Sequence, residues 1–432
     1  MSDGFHSNLG LFKDPEFVAL AGTAFARSQA YSTILIALAL YADLFGTTGF
    51  IEGMFGTAFA IVQLLIVLPL GRGIDTGNAK RYLLLGLLLN ICVFFGFMLV
   101  SNAIHVILIR IVQGIGASIL WITGSTVIGE ISPEGGRGRW LGTYNQVAAF
   151  SSLAGDIFGG YLLFAYNFRF TYVILSVITL LAFLLVFAFL RENPGGQKDP
   201  EEATGVETIQ NLLGLPMIKS LVTFRLAFSV GKMAVIIFLP IYARKEFGVS
   251  AFHIGWILAG GKLSKSLLQG YMGNLADRIG NRHYFVAVGG LLYAVGTAII
   301  PLAAYANTYL PVVTINILSY TGTISGAFIT MFFAFSILGV ADSIRLPASM
   351  SLFVEEGEKY DSVASSMSLR SIAWKIGQIS GPLAVGIIKD TVSTLAAFWT
   401  AAAFILVATG MFLYMYSRSS EIDTPVEPTP GD

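Results

Sequence analysis

Charge is scarce in this chain. Asp, Glu, Lys and Arg make up only 12% of its 432 residues, whereas hydrophobic residues make up 55% and the mean hydropathy is +0.73. Soluble domains usually carry about 25% charged residues, so the composition excludes an ordinary soluble protein. The formal net charge is zero, which gives no electrostatic basis for binding a nucleic acid.

Cysteine and catalytic motifs are scarce as well. Cys92 is the single cysteine, so no intrachain disulfide can form. The sequence contains no phosphate-binding loop, no histidine and cysteine cluster that would hold a metal, and no serine nucleophile elbow. We therefore expect a protein that is not an enzyme and that holds neither a metal nor a cofactor.

Long apolar runs are abundant, and twelve of them are long enough to cross a membrane as a helix, which takes about 20 residues. They lie at roughly 16–44, 50–71, 81–102, 104–130, 140–165, 168–190, 217–243, 252–273, 283–305, 327–355, 363–388 and 393–417. Lipid cannot satisfy backbone amides, so we expect helices. Runs of this length do not fit the roughly 10-residue strands of a membrane barrel. The sequence predicts an all-α membrane protein with 12 transmembrane helices.

Two short charged stretches repeat at half the chain length. In both Gly71–Arg81 and Gly273–Arg282, a glycine precedes an aspartate by four residues and basic residues follow within six. The two leading glycines are 202 positions apart, which indicates an internal repeat. We predict that each stretch is a short turn between two spans.

The second stretch resembles the loop signature of the major facilitator superfamily, G-x-x-x-D-R-x-G-[RN]-R. Its matching residues are Gly273, Asp277, Arg278, Gly280 and Arg282, whereas the first copy keeps Gly71, Asp75, Lys80 and Arg81 but has Thr76 in place of a basic residue. The resemblance covers roughly residues 15–418. It implies two pseudo-symmetric six-helix bundles that expose one central site to each side of the membrane in turn.

Domain organisation and orientation follow from the loops. We expect an N-terminal bundle over 1–190, a cytoplasmic linker over 191–215, a C-terminal bundle over 216–418 and a disordered tail over 419–432. A short surface helix could form within 206–215. Basic residues concentrate in the connections on one side, which places that side and both termini in the cytoplasm, in the plasma membrane. The insertion at 306–328 could be an external hairpin, an extension of span ten or a re-entrant segment.

Ionisable residues inside spans cost about 2.5–3.5 kcal/mol each on insertion scales, so they usually face a cavity. In the second half only Asp342 opposes several mid-span cations, so we predict a positive cavity that suits an anionic substrate. The candidate cavity residues are Arg27, Lys232, Lys262, Lys265, Asp342, Arg345, Lys375 and Gln378. Arg225 and Arg370 lie nearer the cytoplasmic end, and we expect their side chains to reach the interface.

Span four resembles the family pattern R-x-x-Q-G-x-G-A, whose arginine is associated with proton-coupled members, and Arg110 occupies that position. Span five resembles the family's antiporter signature but has Asp156 in place of its proline. We hypothesise that Arg110 and Asp156 form a coupled pair that senses protonation; a permanent structural ion pair is the alternative. The residues expected to allow close helix packing are Gly114, Gly116, Gly155, Gly159, Gly160, Gly381 and Pro382.

A further loop, from Glu130 to Arg137, resembles the family's acidic-proline-arginine loop, which helps to hold the cytoplasmic face closed; a solvated loop is the alternative. The resemblance thus implies a conformational gate formed by Gly71, Asp75, Lys80, Arg81, Gly273, Asp277, Arg278, Gly280, Arg282, Glu130 and Arg137.

These observations favour a secondary active transporter, acting as a monomer in the lipid bilayer and exporting an amphipathic or anionic small molecule with proton coupling. A lipid or glycolipid flippase is an alternative. So is a sensor or assembly factor that transports nothing.

The two charged repeats generate a test. We expect Asp277→Asn and Asp75→Asn to slow transport while the folded protein remains extractable, with the larger effect at Asp277, because the second copy preserves more of the signature. Initial rates in proteoliposomes measure the effect. Wild-type rates in both variants would reduce these stretches to topology signals.

Overall fold

The computed structural model describes residues 10–133, 136–194, 211–310, 313–317, 320–360 and 362–422. Twelve long helices lie within these ranges, which confirms the predicted fold class. They are α1 (Pro15–Leu44), α2 (Gly49–Thr76), α3 (Ala79–Met98), α4 (Ala103–Ile131), α5 (Arg137–Ala165), α6 (Phe168–Phe189), α7 (Pro216–Phe247), α8 (Ala251–Ile279), α9 (Arg282–Ile299), α11 (Gly326–Glu358), α12 (Val363–Thr391) and α13 (Thr394–Ile422), with a short helix α10 (Ala303–Tyr309) between α9 and α11.

Local sequence explains where these helices begin and end. The carboxylate of Asp14 accepts hydrogen bonds from the amides of Glu16 and Phe17 at 2.9 and 3.1 Å, which caps α1. At the other end of a helix, Gly248 and Gly280 adopt left-handed backbone conformations, with φ of 63° and 78°, and terminate α7 and α8. Glycine suits both positions because a side chain disfavours positive φ.

The two charged repeats are mostly helical. The prediction that each whole stretch is a turn was wrong, because the turn is shorter than the stretch. α2 continues to Thr76 and α8 to Ile279. Only two residues separate each from the following helix. Nothing in either stretch breaks a helix before Gly77 or Gly280, so the helices project beyond the apolar runs that defined the spans.

Nine helical segments in the described part of the chain are long and apolar enough to cross a membrane by length and composition alone. Three of the long helices, α1, α8 and α12, are not apolar enough to meet this requirement. These three carry cations within their length, among them Arg27, Lys262 and Lys375. Charge inside a span is tolerated where the helix faces protein or a cavity, so these helices are candidates for the lining of a site.

The helices pack as two similar halves, α1–α6 and α7–α13. In the first half α1 packs against α5 and α6, while α4 packs against α2 and α3. The second half repeats this arrangement, since α7 packs against α12 and α13, while α11 packs against α8 and α9. The halves meet mainly along two seams, α2 with α12 and α5 with α8, which the internal repeat relates to each other.

The insertion between α9 and α11 contains a β-hairpin, which matches one of the three alternatives. A 3₁₀ turn at Ile300–Leu302 and α10 lead to β1 (Val313–Ile317), which pairs antiparallel with β2 (Tyr320–Ile324). We call the end of the bundle that includes the α1–α2 and α9–α11 connections the hairpin end, and the opposite end, where α1 begins, the terminal end. α13 extends to Ile422, past the predicted boundary at 418; residues 195–210 and 423–432 lie outside the described residues.

Glycines bring backbone against backbone along both seams. A Cβ on Gly386 of α12 would lie 2.2 Å from the carbonyl oxygen of Gly49, and one on Gly53 would lie 2.5 Å from that of Pro382. On the other seam, a Cβ on Gly255 of α8 would lie 2.1 Å from the Asp156 carbonyl oxygen. Each of these substitutions would therefore push the two halves apart.

We expect Gly386→Ala to lower the melting temperature of the purified protein, because overpacking typically costs about 1–3 kcal/mol. Gly410→Ala in α13 is the matched control, since a Cβ there meets nothing within 4 Å. Alanine is the better helix former by about 1 kcal/mol, so the control should be as stable as the wild type or more so. Equal melting temperatures for the two variants would contradict the seam contact.

Candidate transport cavity and gate

A cluster of buried charges lies inside the second half around Asp342 of α11. Its carboxylate forms ion pairs with Lys232 of α7 and with Arg345, whose Nη2 lies 2.9 Å from Asp342 Oδ1. Lys265 of α8 adds positive charge at the same carboxylate. Four of the predicted cavity residues thus lie together, and they comprise three cations and one carboxylate.

Lys375 of α12 links this region to the first half. Its ammonium donates hydrogen bonds to the amide oxygens of Gln63 in α2 and of Gln378, the latter at 3.3 Å. Gln63 and Gln378 are both buried. Neutral amides do not cancel the charge of Lys375, which forms no ion pair with the described residues at the α2–α12 seam.

Lys262 of α8 makes an ion pair across the other seam. Its Nζ lies 2.6 Å from Asp156 Oδ2 and donates a hydrogen bond to Ser32 Oγ at 2.8 Å. Asp156 is fully buried, whereas the Lys262 side chain is 31% exposed. A fully buried carboxylate depends on its partner cation, so the contact between the halves at this level is tied to the ionisation of Asp156.

The predicted pair of Arg110 with Asp156 is not formed. Arg110 instead donates hydrogen bonds to the Phe55 carbonyl oxygen at 2.8 Å and to Gln113 Oε1 at 2.6 Å, and its guanidinium stacks 4.2 Å from the Phe59 ring centroid. The two residues lie at similar depths, but α4 packs mainly against α2 and α3, whereas α5 packs against α1 and α8. α4 and α5 are consecutive in the chain, but they make few contacts with each other.

Two other span arginines stack on tryptophans. Arg27 lies in the first half with its guanidinium carbon 4.5 Å from the Trp121 ring, and Arg225 lies in the second half with its carbon 4.3 Å from the Trp374 ring. Arg225 is only 7% exposed. The expectation that it extends to the interface was therefore wrong, because the indole face holds the guanidinium inside the protein.

The residues of the predicted gate lie at the terminal end and pair within their own halves. Lys80 forms an ion pair with Glu192 at 2.9 Å, and Arg282 forms ion pairs with Asp277, at 2.9 Å, and with Glu355. Arg137 lies against Gly129, next to Glu130, and Gly273 lies near Pro347. Arg81 lies in the first turn of α3, and Arg278 lies in the last turn of α8. Gly71 lies in α2, and the side chain of Asp75 is outside the described part of the chain. None of the pairs named here joins one half to the other.

Ion pairs that the sequence did not predict join the two halves at the hairpin end. The carboxylate of Glu52 in α2 is fully buried and pairs with Lys245 of α7 at 2.8 Å and with Lys389 of α12 at 2.5 Å. We call Glu52, Lys245 and Lys389 the latch. Beside it, Arg244 pairs with Asp43 at 2.8 Å, and Asp390 accepts hydrogen bonds from the amides of Gly49 and Phe50 at 2.6 and 2.8 Å.

One sequence feature could have identified the latch: Glu52 is the single carboxylate within span two as predicted, and both lysines lie in connections or helix ends on its side of the membrane.

The predicted packing residues lie at close helix contacts. A Cβ on Gly114 would lie 2.7 Å from the Phe59 carbonyl oxygen, and one on Gly381 would lie 2.2 Å from that of Val230. Gly155 and Gly159 similarly pack against α1, Gly116 against α3, and Gly160 and Pro382 lie on the two seams.

We expect Glu52→Gln to open the hairpin end. Removing one partner of a buried ion pair costs about 3–5 kcal/mol, and partial exposure of the lysines puts this case at the lower end. In a Cys92→Ala background, a cysteine at the buried Thr57 should react faster with a maleimide applied from the hairpin end. Glu16→Gln, which breaks the Glu16–Arg191 pair at the terminal end, is the control. Unchanged labelling in Glu52→Gln would contradict the role of the latch.

Comparison with known proteins agrees with this architecture. The family model of the Major Facilitator Superfamily matches residues 20–234 and 221–431. The uncharacterized MFS-type transporter MJ1560 of Methanocaldococcus jannaschii is 22% identical over 91% of this chain and 96% of its own length. The multidrug resistance protein MdtG of Dickeya zeae is 24% identical over 90% of this chain and 91% of its own length.

Solved structures show the same fold at low identity. A bacterial homolog of the human lysosomal transporter Spinster, in an inward-facing and unoccupied conformation, superposes with a TM-score of 0.72 at 16% identity and covers 95% of this chain and 98% of its own. The nucleoside transporter NupG gives a TM-score of 0.73 at 13% identity, covering 93% and 99%. The chain therefore belongs to the Major Facilitator Superfamily and is a multi-pass membrane transporter of small molecules rather than an enzyme.

Proposed function

We propose that the protein exports amphipathic organic anions across the plasma membrane as a monomer, using proton entry as the driving force. The observation that carries this proposal is the charge of the cavity. Lys232, Lys265 and Arg345 lie near one carboxylate, Asp342, whereas the hydrogen bonds of Lys375 go to the neutral amides of Gln63 and Gln378. A cavity of low dielectric with surplus positive charge favours a negatively charged cargo.

The proposed orientation places the terminal end and both chain termini in the cytoplasm. The positive-inside bias supports it. With this orientation, the latch seals the outer end, and the conformation described here is the one that would take up cargo from the cytoplasm. The halves 1–190 and 216–418 would rock against each other about the two glycine seams, with 191–215 as the connecting linker.

The proposed coupling site is Asp156, with Lys262 rather than Arg110 as its partner. Protonation of Asp156 would remove the charge that holds Lys262 across the α5–α8 seam. The two halves would then separate more easily at that level, so proton binding from outside would be linked to movement of the halves. Arg110, bound to the backbone of α2, would hold the first half rigid.

The name of the relative MdtG, a multidrug resistance protein, supports export of compounds with diverse apolar bodies. The test uses proteoliposomes loaded with a fluorescent aryl carboxylate, with its neutral amide as matched cargo, under an imposed pH gradient. We expect gradient-driven flux of the carboxylate alone, reduced at least fivefold in Lys375→Gln and unchanged in Lys219→Gln, whose lysine lies exposed at the start of α7.

Equal flux of the two cargoes would overturn the anion preference. Flux that appears only with labelled phospholipid or glycolipid would favour a flippase instead. Absence of flux for every cargo, from correctly folded protein, would favour a sensor or assembly factor.

Orientation is checked by labelling single cysteines in the Cys92→Ala background, since Cys92 is itself exposed. Gly138→Cys and Gly214→Cys are suitable because a Cβ at either position meets nothing within 4 Å. Both should react only with reagent on the cytoplasmic side, and Thr308→Cys only with reagent outside. The reverse pattern would invert the proposed direction of transport.

Asp156→Asn separates coupling from transport. We expect this variant to lose gradient-driven efflux while retaining exchange of cargo at equal pH, because an asparagine amide can still accept a hydrogen bond from Lys262 but cannot take up a proton. Ser152→Ala, which alters a neighbour but leaves both charges in place, is the control. Full gradient-driven efflux in Asp156→Asn would exclude this residue as the coupling site.

A further inference from the structure

Three arginines of the second half converge on the terminal side of the Asp342 cluster, and they come from three helices. Arg225 lies on α7, Arg345 on α11 and Arg370 on α12. Arg225 stacks on Trp374, which lies four residues after Arg370 on α12. Arg345 stacks on Phe228, which lies three residues after Arg225 on α7. Like charges repel, and Asp342 is already shared between Arg345 and Lys232.

Four of the nitrogen donors on these arginines have no hydrogen-bond partner among the described residues. Arg225 Nε, Arg370 Nε, and both Nε and Nη1 of Arg345 are buried and have no acceptor among the described residues. Arg225 is 7% exposed and Arg345 is fully buried. Buried donors are nearly always satisfied, so this arrangement calls for an acceptor beyond those that the described residues supply.

Aromatic rings hold two of the guanidinium groups by their faces. The guanidinium carbon of Arg225 lies 4.3 Å from the Trp374 ring centroid, and that of Arg345 lies 3.9 Å from the Phe228 ring centroid. Stacking uses the flat face of a guanidinium and leaves the N–H groups at its edge available. The rings therefore fix these cations in place without occupying their donors.

We infer that Arg225, Arg345 and Arg370 form an oxyanion site that binds the phosphate monoester group of a cargo molecule. Guanidinium groups bind phosphate oxygens through paired, charge-assisted hydrogen bonds. The three arginines, Lys232 and Lys265 make five cations in this region, and Asp342 is the carboxylate that they share among the described residues. A dianion therefore balances the site better than a monoanion does. This inference rests on the proposed function and narrows its cargo to phosphorylated amphipathic compounds.

The test measures binding to the purified protein by calorimetry, without transport. Phenyl phosphate should bind at least tenfold more tightly than phenyl sulfate, which has a similar shape but a single charge. Arg225→Gln and Arg370→Gln should each weaken phenyl phosphate binding at least tenfold, and Arg225→Lys should recover part of the loss, since it restores the charge but not the paired geometry.

Arg418→Gln is the matched control, because Arg418 lies exposed on α13 beside Tyr414, and it should change binding less than twofold. Melting temperatures of the unliganded variants check folding. If Arg225→Gln does not fold, Arg370→Gln carries the test, because its side chain is only partly buried.

Two further ligands distinguish the source of the phosphate. Binding of lysophosphatidic acid but not of phenyl phosphate, with the same dependence on the arginines, would support the site and identify the cargo as a lipid headgroup. Arginine-dependent binding of phenyl phosphate or inorganic phosphate would support a soluble cargo.

The inference is overturned if no phosphate compound shows saturable binding, or if a loss occurs in Lys375→Gln but in neither arginine variant. Export of the aryl carboxylate without arginine-dependent phosphate binding would remove this inference and leave the proposed function standing. Arginine-dependent phosphate binding without flux of any cargo would support the phosphate site and contradict the proposed export.

Discussion

The carboxylate of Glu52 is the contact on which closure of the hairpin end depends. It belongs to the first half and is completely enclosed, and its ion-pair partners among the described residues are Lys245 and Lys389 of the second half. Separation of the halves at this end would leave a carboxylate and two ammonium groups to be hydrated or re-paired. Opening therefore requires water to enter, and the position of these three charges sets how readily one half tilts away from the other.

The same division of charge recurs along both seams. Asp43, Glu52 and Asp156 of the first half meet Arg244, Lys245, Lys389 and Lys262 of the second. The backbone contacts beside them are made by glycines such as Gly49, Gly255 and Gly386. Backbones therefore pack closely without intervening side chains at these points, and the ion pairs beside them fix how the halves are held together in this conformation.

The helices and the internal repeat could be predicted from the sequence, because each follows from a pattern along the chain. Hydropathy gave the twelve helices to within a few residues at most boundaries, and the spaced glycine and aspartate pairs gave the internal repeat. The end of α9 at Ile299 was placed several residues too late, because apolar residues continue past Pro301 while the helix changes to a 3₁₀ turn.

The errors concern which side chains meet. Depth along a helix can be counted from the sequence, and Arg110 and Asp156 do lie at similar depths, but partner choice depends on the face each residue presents and on which helices touch. The internal repeat could have indicated part of this answer. If α5 packs against α8, Lys262 of α8 is the cation placed to pair with Asp156 of α5. The stacking of Arg225 on Trp374 had no sequence signal beyond the presence of both residues within predicted spans, seven and eleven.

The polarity of α1, α8 and α12 also bears on how the chain is made. A helix with lysines near its middle partitions poorly into lipid by itself, and synthesis proceeds from the N-terminus. When α8 and α12 emerge, α2 and α5 are already in the membrane with Glu52, Gln63 and Asp156 in place. The first half thus supplies, earlier in the chain, the acceptors that the lysines of the most polar helices of the second half contact in the folded protein.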